Sequence, residues 1–199
     1  MSSFPKSVRV VEVGPRDGLQ NESAILDTFE KLHYISLLSE TGLTDVEATS
    51  FVSPQWVPQL GDSEQIFEHL DQDAGIRYSA LVPNLKGLER AQSCGVRNIA
   101  IFTAASDTFT RRNIGMTREE SLASYREVTA QAKQAGMWVR GYVSTAFYCP
   151  FEGKISGDSV VAVTEELLQM GVDEVSIGDT IGHAVPTEVT ELTKKLRGE

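Results

Sequence analysis

Basic residues are in short supply. Lys and Arg total 18 against 28 Asp and Glu, a net charge of −10. A field of that sign repels polyanions and argues against nonspecific binding to nucleic acid or anionic lipid. Cysteine is scarcer still, with only Cys94 and Cys149. Two thiols so far apart make neither a disulfide framework nor a zinc pattern, so a reducing compartment is expected. Histidine is limited to His33, His69 and His183, and no two are spaced as a metal-ligating pair. No apolar run approaches the roughly 18 residues of a membrane span. The opening "MSSFPKSVRVVEV" shows no apolar h-region and no Arg-rich amphipathic presequence, so a cytoplasmic protein is the expectation. The turn after the first strand, "GPRDGLQ", lacks the G-x-G-x-x-G of a dinucleotide fold.

What is there is a repeated alternation. β-rich runs at Val8–Val13, Asp45–Phe51, Tyr78–Pro83, Asn98–Thr103, Trp138–Ser144 and Glu174–Gly178 are mostly apolar on both faces. Parallel strands covered on both sides read that way. Helical patterns lie between them. In "DTFEKLHYISLLSE" a stripe of Phe29, Leu32, Ile35, Leu37 and Leu38 follows a capping box of Asp27 and Glu30. Thr117 and Glu120 repeat the box before the next long helix, and "TEVTELTKKL" places acids early and lysines late, matching the helix dipole. Gly42, Gly75, Gly95, Gly136 and Gly171 each precede an apolar residue and a strand, the position of a left-handed helix stop. The expected fold class is α/β, a TIM-type (β/α) barrel, incomplete, with six of eight βα units, residues 1–199 forming a single domain.

In such barrels the chemistry gathers where strands end. That rule selects Arg16, Asp17 and Gln20 after strand 1, and Glu47, Ser50 and Ser53 on or after strand 2. It adds Asn84 after strand 3, and a loop with Ser106, Thr110, Arg111, Arg112 and Asn113 after strand 4. Strand 5 carries Arg140, Tyr142 and Ser144, and strand 6 ends at Asp179 and Thr180. Buried ionic groups are expensive unless paired or metal-bound. A lone Arg-Asp pair is an ordinary salt bridge; with acids at two further strand ends, a salt bridge closing the barrel end and a reaction centre are both open readings.

Five stretches, "VEVGPRDGLQNE", "DVEATSFVSPQWVPQLGD", "FTRRNIGMTREES", "VRGYVSTAFYCPFEGKIS" and "VSIGDTIG", resemble the hydroxymethylglutaryl-CoA lyases, and the likeness runs through essentially the whole chain. "RDG" alone would fit isopropylmalate or homocitrate synthases as well; the flanking "EVGP" and "LQNE" favour the lyase. The resemblance implies a divalent-metal-dependent carbon–carbon lyase on a (β/α) barrel. It cleaves 3-hydroxy-3-methylglutaryl-CoA to acetoacetate and acetyl-CoA, with Mg2+ or Mn2+ as cofactor and a small acyl-CoA as partner.

By that resemblance Asp17 is a metal ligand, and Arg16 polarises the substrate carbonyl and stabilises enolate charge. Glu47 and Asp179 line the reaction centre, Asp179 as a candidate for proton transfer. Gln20, Ser50, Asn113, Arg140 and Tyr142 take substrate-binding positions, and Arg111 and Arg112 are either contacts to coenzyme phosphates or a solvated basic pair. Ser23 departs from the lysine expected after "QNE". The family's remaining ligands, an H-x-H pair and an asparagine, and its reactive cysteine are missing from the 199 residues, so weak metal binding and poor cleavage are expected of the chain alone. A related acyl-CoA lyase or a synthase, and a non-catalytic paralogue acting as an assembly module, are the alternatives. Cys149 and Cys94 read as packed thiols, and Trp56 and Trp138 as packing residues. Unclosed sheet edges at strands 1 and 6 predict association into a homo-oligomer, aggregation or a distorted barrel.

Overall fold

A computed structural model describes residues 5–198. The first four residues of the opening stretch read above for a presequence, and the final Glu199, lie outside them. Strand and helix alternate six times, the α/β pattern of an incomplete TIM-type (β/α) barrel with six of eight units. The chain divides into two compact units, Met1–Ile99 and Ala100–Glu199.

The first unit holds β1 (Val11–Glu12), α1 (Thr28–Ser39), β2 (Asp45–Ser50), α2 (Ser63–His69), β3 (Arg77–Leu81) and α3 (Leu85–Ser93). Its strands run β1-β2-β3, all parallel, with Val11 opposite Asp45 and Asp45 opposite Arg77. Every residue of β2 is buried, as a strand covered on both faces must be. Where β2 pairs with β3 the register slips between Glu47 and Thr49.

Two expectations need correcting here. The first strand does not span Val8–Val13; the ladder is confined to Val11–Glu12, and Val8 and Val10 are exposed. The reason is the partner: β2 begins at Asp45, opposite Val11, so earlier residues have no strand to pair with. The stripe on α1 is also misplaced, since Phe29 and Leu37 face solvent while Ile35 and Lys31 are buried. At 3.6 residues per turn, Lys31, Ile35 and Leu38 share one face. The inward face is therefore centred on a lysine, which an apolar pattern does not reveal.

The second unit holds α4 (Asp107–Ile114), α5 (Arg118–Gln134), β5 (Trp138–Ser144), the short hairpin β6 (Tyr148–Cys149) and β7 (Gly153–Lys154), α6 (Gly157–Gln169), β8 (Glu174–Ile177) and α7 (Pro186–Arg197). β4 (Asn98–Ala104) contains the division between units. β5 pairs in parallel with β8, Arg140 opposite Glu174. The core of this unit collects Tyr125, Val128, Val139, Val143, Val160 and Leu167.

Local chemistry explains the helix ends. Asp27 accepts from the Glu30 amide at 2.8 Å, and Glu30 returns to the Asp27 amide at 3.1 Å. Thr117 and Glu120 form the second box. Gly171, with φ +91°, follows α6 in the left-handed conformation that any side chain would resist. α2 and α3 precede the helix stops read at Gly75 and Gly95, whereas α4 is not foreseen from the sequence pattern. It turns the expected loop of Ser106 to Asn113 into a helix, N-capped by Ser106 accepting from the Phe109 amide.

Candidate active site

The break after β1 is one π-helical turn, Gly14–Gly18. The Val13 carbonyl accepts from the amides of Arg16, Asp17 and Gly18 at 3.1, 2.7 and 3.4 Å. Pro15, second in the turn, has no amide to donate, which suits the first turn of a helix. Glu12 accepts from the Gly14 amide at 2.6 Å. A Cβ on Gly14 would stand 2.5 Å from the Tyr34 hydroxyl, so the backbone comes closer to α1 than a side chain allows.

This turn brings three predicted residues together. Nε of Arg16 donates to Oε1 of Glu47, which has no solvent exposure, and Nη1 of Arg16 reaches Oδ1 of Asp17 at 2.8 Å. Asp17 is the open member, 55% exposed. The guanidinium thus lies between a buried and a solvated carboxylate, an arrangement that fixes its plane and leaves it aimed by two partners. Gln20 is half-buried just beyond the turn. Ser50 is buried and donates to the Leu81 carbonyl at 3.1 Å. Its hydroxyl thus bonds across to the neighbouring strand β3. Asn84, expected as a strand end, caps α3 by accepting from the Gly87 amide.

In the second unit, Asp179 lies on the loop after β8 and accepts from the amides of His183 at 3.1 Å and Ala184 at 2.9 Å. The His183 ring stacks 5.5 Å from Tyr148. Thr145, at the end of β5, holds φ +53°, a strained conformation for a β-branched residue. Its amide donates to Thr180 Oγ1 at 2.7 Å, tying the ends of β5 and β8. Arg140 is third of seven residues in β5 rather than at the strand end, and 5% exposed. Nη2 of Arg140 donates to Glu174 at 2.6 Å, Nη1 approaches the Tyr142 hydroxyl at 3.4 Å, and Nε has no hydrogen-bond partner. The guanidinium lies 5.7 and 5.8 Å from the rings of Trp138 and Tyr142, which alternate with it on one strand face.

Asn113 is exposed on α4. Arg111 pairs with Asp107 at 2.6 Å and is exposed, and Arg112 stacks on Phe151 at 4.2 Å. Cys149 is buried and accepts from Ser106 at 3.0 Å, while Cys94 caps the end of α3, its thiol pushed up by burial. Trp56 is not packed: it is 84% exposed on the loop after β2. Sequence reading missed Glu12, Tyr34 and Glu174 as partners of the site residues. Glu174 carried a usable signal, being the acid opposite Arg140 in neighbouring parallel strands. Tyr34 carried none, because its role depends on how close α1 lies to Gly14.

A divalent cation of the Mg2+ or Mn2+ type takes about six oxygen ligands. Asp17 offers one carboxylate, and among the described residues no group of three or more His, Cys, Asp and Glu is placed to hold a metal. These residues do not complete a cation site by themselves.

Comparison with known proteins gives consistent results. The HMGL-like family matches residues 7–199. The mitochondrial hydroxymethylglutaryl-CoA lyase of Bos taurus is 48% identical over 199 residues, all of this chain and 61% of that protein. The crystal structure of hydroxymethylglutaryl-CoA lyase from Pseudomonas aeruginosa aligns with a TM-score of 0.94 at 44% identity, covering 98% of this chain and 65% of that one. An HMG-CoA lyase from Acinetobacter baumannii, solved with coenzyme A and 3-methylmalate, gives 0.93 at 37% identity and covers 100% and 65%. The chain thus spans about three-fifths of the cattle relative's length. The cytoplasmic expectation is overturned, because most relatives at 47–50% identity, the cattle protein among them, are named as mitochondrial.

Proposed function

The chain belongs to the HMGL-like family, and from that premise we propose that Arg16, Asp17 and Glu47 are part of the reaction centre of a carbon–carbon lyase acting on 3-hydroxy-3-methylglutaryl-CoA. The observation that carries the reading is the Arg16 guanidinium held between buried Glu47 and exposed Asp17 at the end of β1. The structure with coenzyme A bound supports an acyl-CoA as the ligand class.

The reaction needs a base, a stabiliser of negative charge and a proton donor. A base takes the proton of the substrate's tertiary hydroxyl. The electrons of that O–H bond form the ketone of acetoacetate as the adjacent C–C bond breaks. The bonding pair is left on the departing carbon as the enolate of acetyl-CoA, whose carbon then takes a proton. Arg16 would face the oxygen on which charge develops, and its two carboxylate partners keep it oriented before substrate arrives. Glu47, buried and engaged with Arg16, acts through that residue. Asp179 is proposed as the proton carrier, with its carboxylate oriented by the amides of its own loop. Gln20, Ser50, Arg140, Tyr142 and Asn113 remain proposed substrate contacts. Arg140 would recognise an anionic or carbonyl group through its unpartnered Nε.

Asp17 would contribute one oxygen ligand to a cation that would polarise the hydroxyl and carboxylate oxygens, with further ligands joining it. Acetoacetate release from 3-hydroxy-3-methylglutaryl-CoA, with Mg2+ or Mn2+ supplied, tests the reading against Arg16→Gln. Release that survives this substitution within threefold, or condensation of acetyl-CoA with a 2-oxo acid in its place, would refute it.

A further inference from the structure

Lys31 is the oddest residue of α1. It occupies the inward face with Ile35, and its side chain is only 6% exposed. Nζ donates to Asp62 Oδ1 at 2.7 Å and to the Gln59 carbonyl at 2.5 Å. Asp62 immediately precedes α2, where an aspartate ordinarily caps, yet it makes no side-chain cap. Its other oxygen accepts from Thr28 at 2.8 Å. The carboxylate is therefore spent on α1.

A buried ion pair is weak ground for stability, since desolvation offsets the attraction and apolar replacements often do as well. What this one does is mechanical. It holds the segment Val57–Asp62 against α1 by a main-chain carbonyl. Gln59, in the same segment, donates from Nε2 to the Glu22 carbonyl at 3.0 Å. Glu22 and Asn21 close turns back to Leu19 and Gly18 at 3.2 and 3.1 Å, and Nδ2 of Asn21 donates to the Asp17 carbonyl at 2.7 Å. Three hydrogen bonds, joined by Gln59 itself and by the Asn21–Glu22 peptide link, thus connect Lys31 to the backbone of Asp17.

We propose that Lys31 is a positioning residue: paired with Asp62, it fixes the loop after β2 so that Gln59 pins the loop bearing Arg16 and Asp17. This rests on the lyase reading only for its functional consequence. The geometry of the loops is independent of it.

The test uses the full chain in four forms: unsubstituted, Lys31→Met, the double variant Lys31→Met/Asp62→Leu, and Gln59→Ala. Each is measured by urea unfolding, by amide hydrogen exchange at residues 18–24, and by calorimetry with 3-hydroxy-3-methylglutaryl-CoA in Mg2+ buffer. Lys31→Met loses stability because it takes the cationic partner from a part-buried carboxylate. The double variant regains it, yet exchanges at 18–24 at least about tenfold faster and binds the thioester roughly 10–100-fold more weakly. Gln59→Ala does the same at unchanged stability. Exchange at 18–24 that stays at the unsubstituted rate in both the double variant and Gln59→Ala would overturn the proposal and leave Lys31 a packing residue. If the unsubstituted chain does not take the thioester, the lyase reading fails, and exchange at 18–24 still decides the role of Lys31.

Discussion

Arg16 donates to Glu47, a residue 31 positions away whose side chain has no contact with solvent, while its other arm rests on the next residue, Asp17. The pair joins the turn after β1 to the middle of β2. Removing the arginine would leave a carboxylate in the interior without its cationic partner. Arg16→Met is expected to lower unfolding stability by about 3 kcal/mol, as breaking a buried pair does. Arg16→Met/Glu47→Gln should recover part of that loss. Urea titration measures both, and a loss in the single variant no larger than an exposed pair gives would show that Glu47 is held by its surroundings instead.

Gly14 faces Tyr34 with no room for a methyl group. Gly14→Ala is expected to cost about 1–3 kcal/mol by overpacking. Tyr34→Phe removes the hydroxyl oxygen, which stands 2.5 Å from where that methyl would sit. Gly14→Ala/Tyr34→Phe should therefore be closer to the parent than Gly14→Ala alone. Thermal melts of the three variants decide it, and strict additivity would rule out the contact as the cause.

Arg90 ties α3 to Glu64 at 2.5 Å and to the Val52 carbonyl at 3.1 Å. The hydrogen bond from Arg90 holds the Glu64 carboxyl below its ordinary value of 4.5, against the opposing effect of burial. A carboxyl depressed in the folded state stabilises above its unfolded value, and that contribution fades as pH falls through the folded one. The difference in melting temperature between the parent and Glu64→Gln should therefore be largest near neutrality and shrink below pH 4.5. It should be small throughout, because the pair is partly exposed. A difference that grows on acidification would reverse the sign and reject the pairing.

Asp179 organises its own loop by accepting two amides. Asp179→Ala should leave global unfolding nearly unchanged but speed amide exchange at His183 and Ala184 by roughly tenfold, the worth of one charge-assisted hydrogen bond. Asp179→Asn, which still accepts, should fall between. Unaltered exchange in the alanine variant would mean that the loop is held elsewhere.

The alternation of six strands with helices, both capping boxes and the glycine stops were legible because they depend on residues within a few positions of one another. The capping box at Asp27 is a matter of three residues, and φ at Gly171 answers only to the missing Cβ. The stretch carrying Arg16 and Asp17 was legible as chemistry too, since two charges beside a broken strand are locally conspicuous. The hydrogen-bond partners of Ser50 and Arg140 were not. Each depends on a neighbour in another strand, the Leu81 carbonyl in one case and Glu174 in the other.

By itself, then, the sequence determined the α/β class, the order of elements and the segments where charge would meet strand ends, because backbone sterics and side-chain periodicity act over short range. Tertiary structure decided which charges are paired, which face of α1 turns inward with Lys31, and that Trp56 stays in solvent. Burial and hydrogen-bond satisfaction belong to the packed chain: the same lysine is cheap on one helix face and needs two partners on the other, and only the position of the neighbouring loop says which applies.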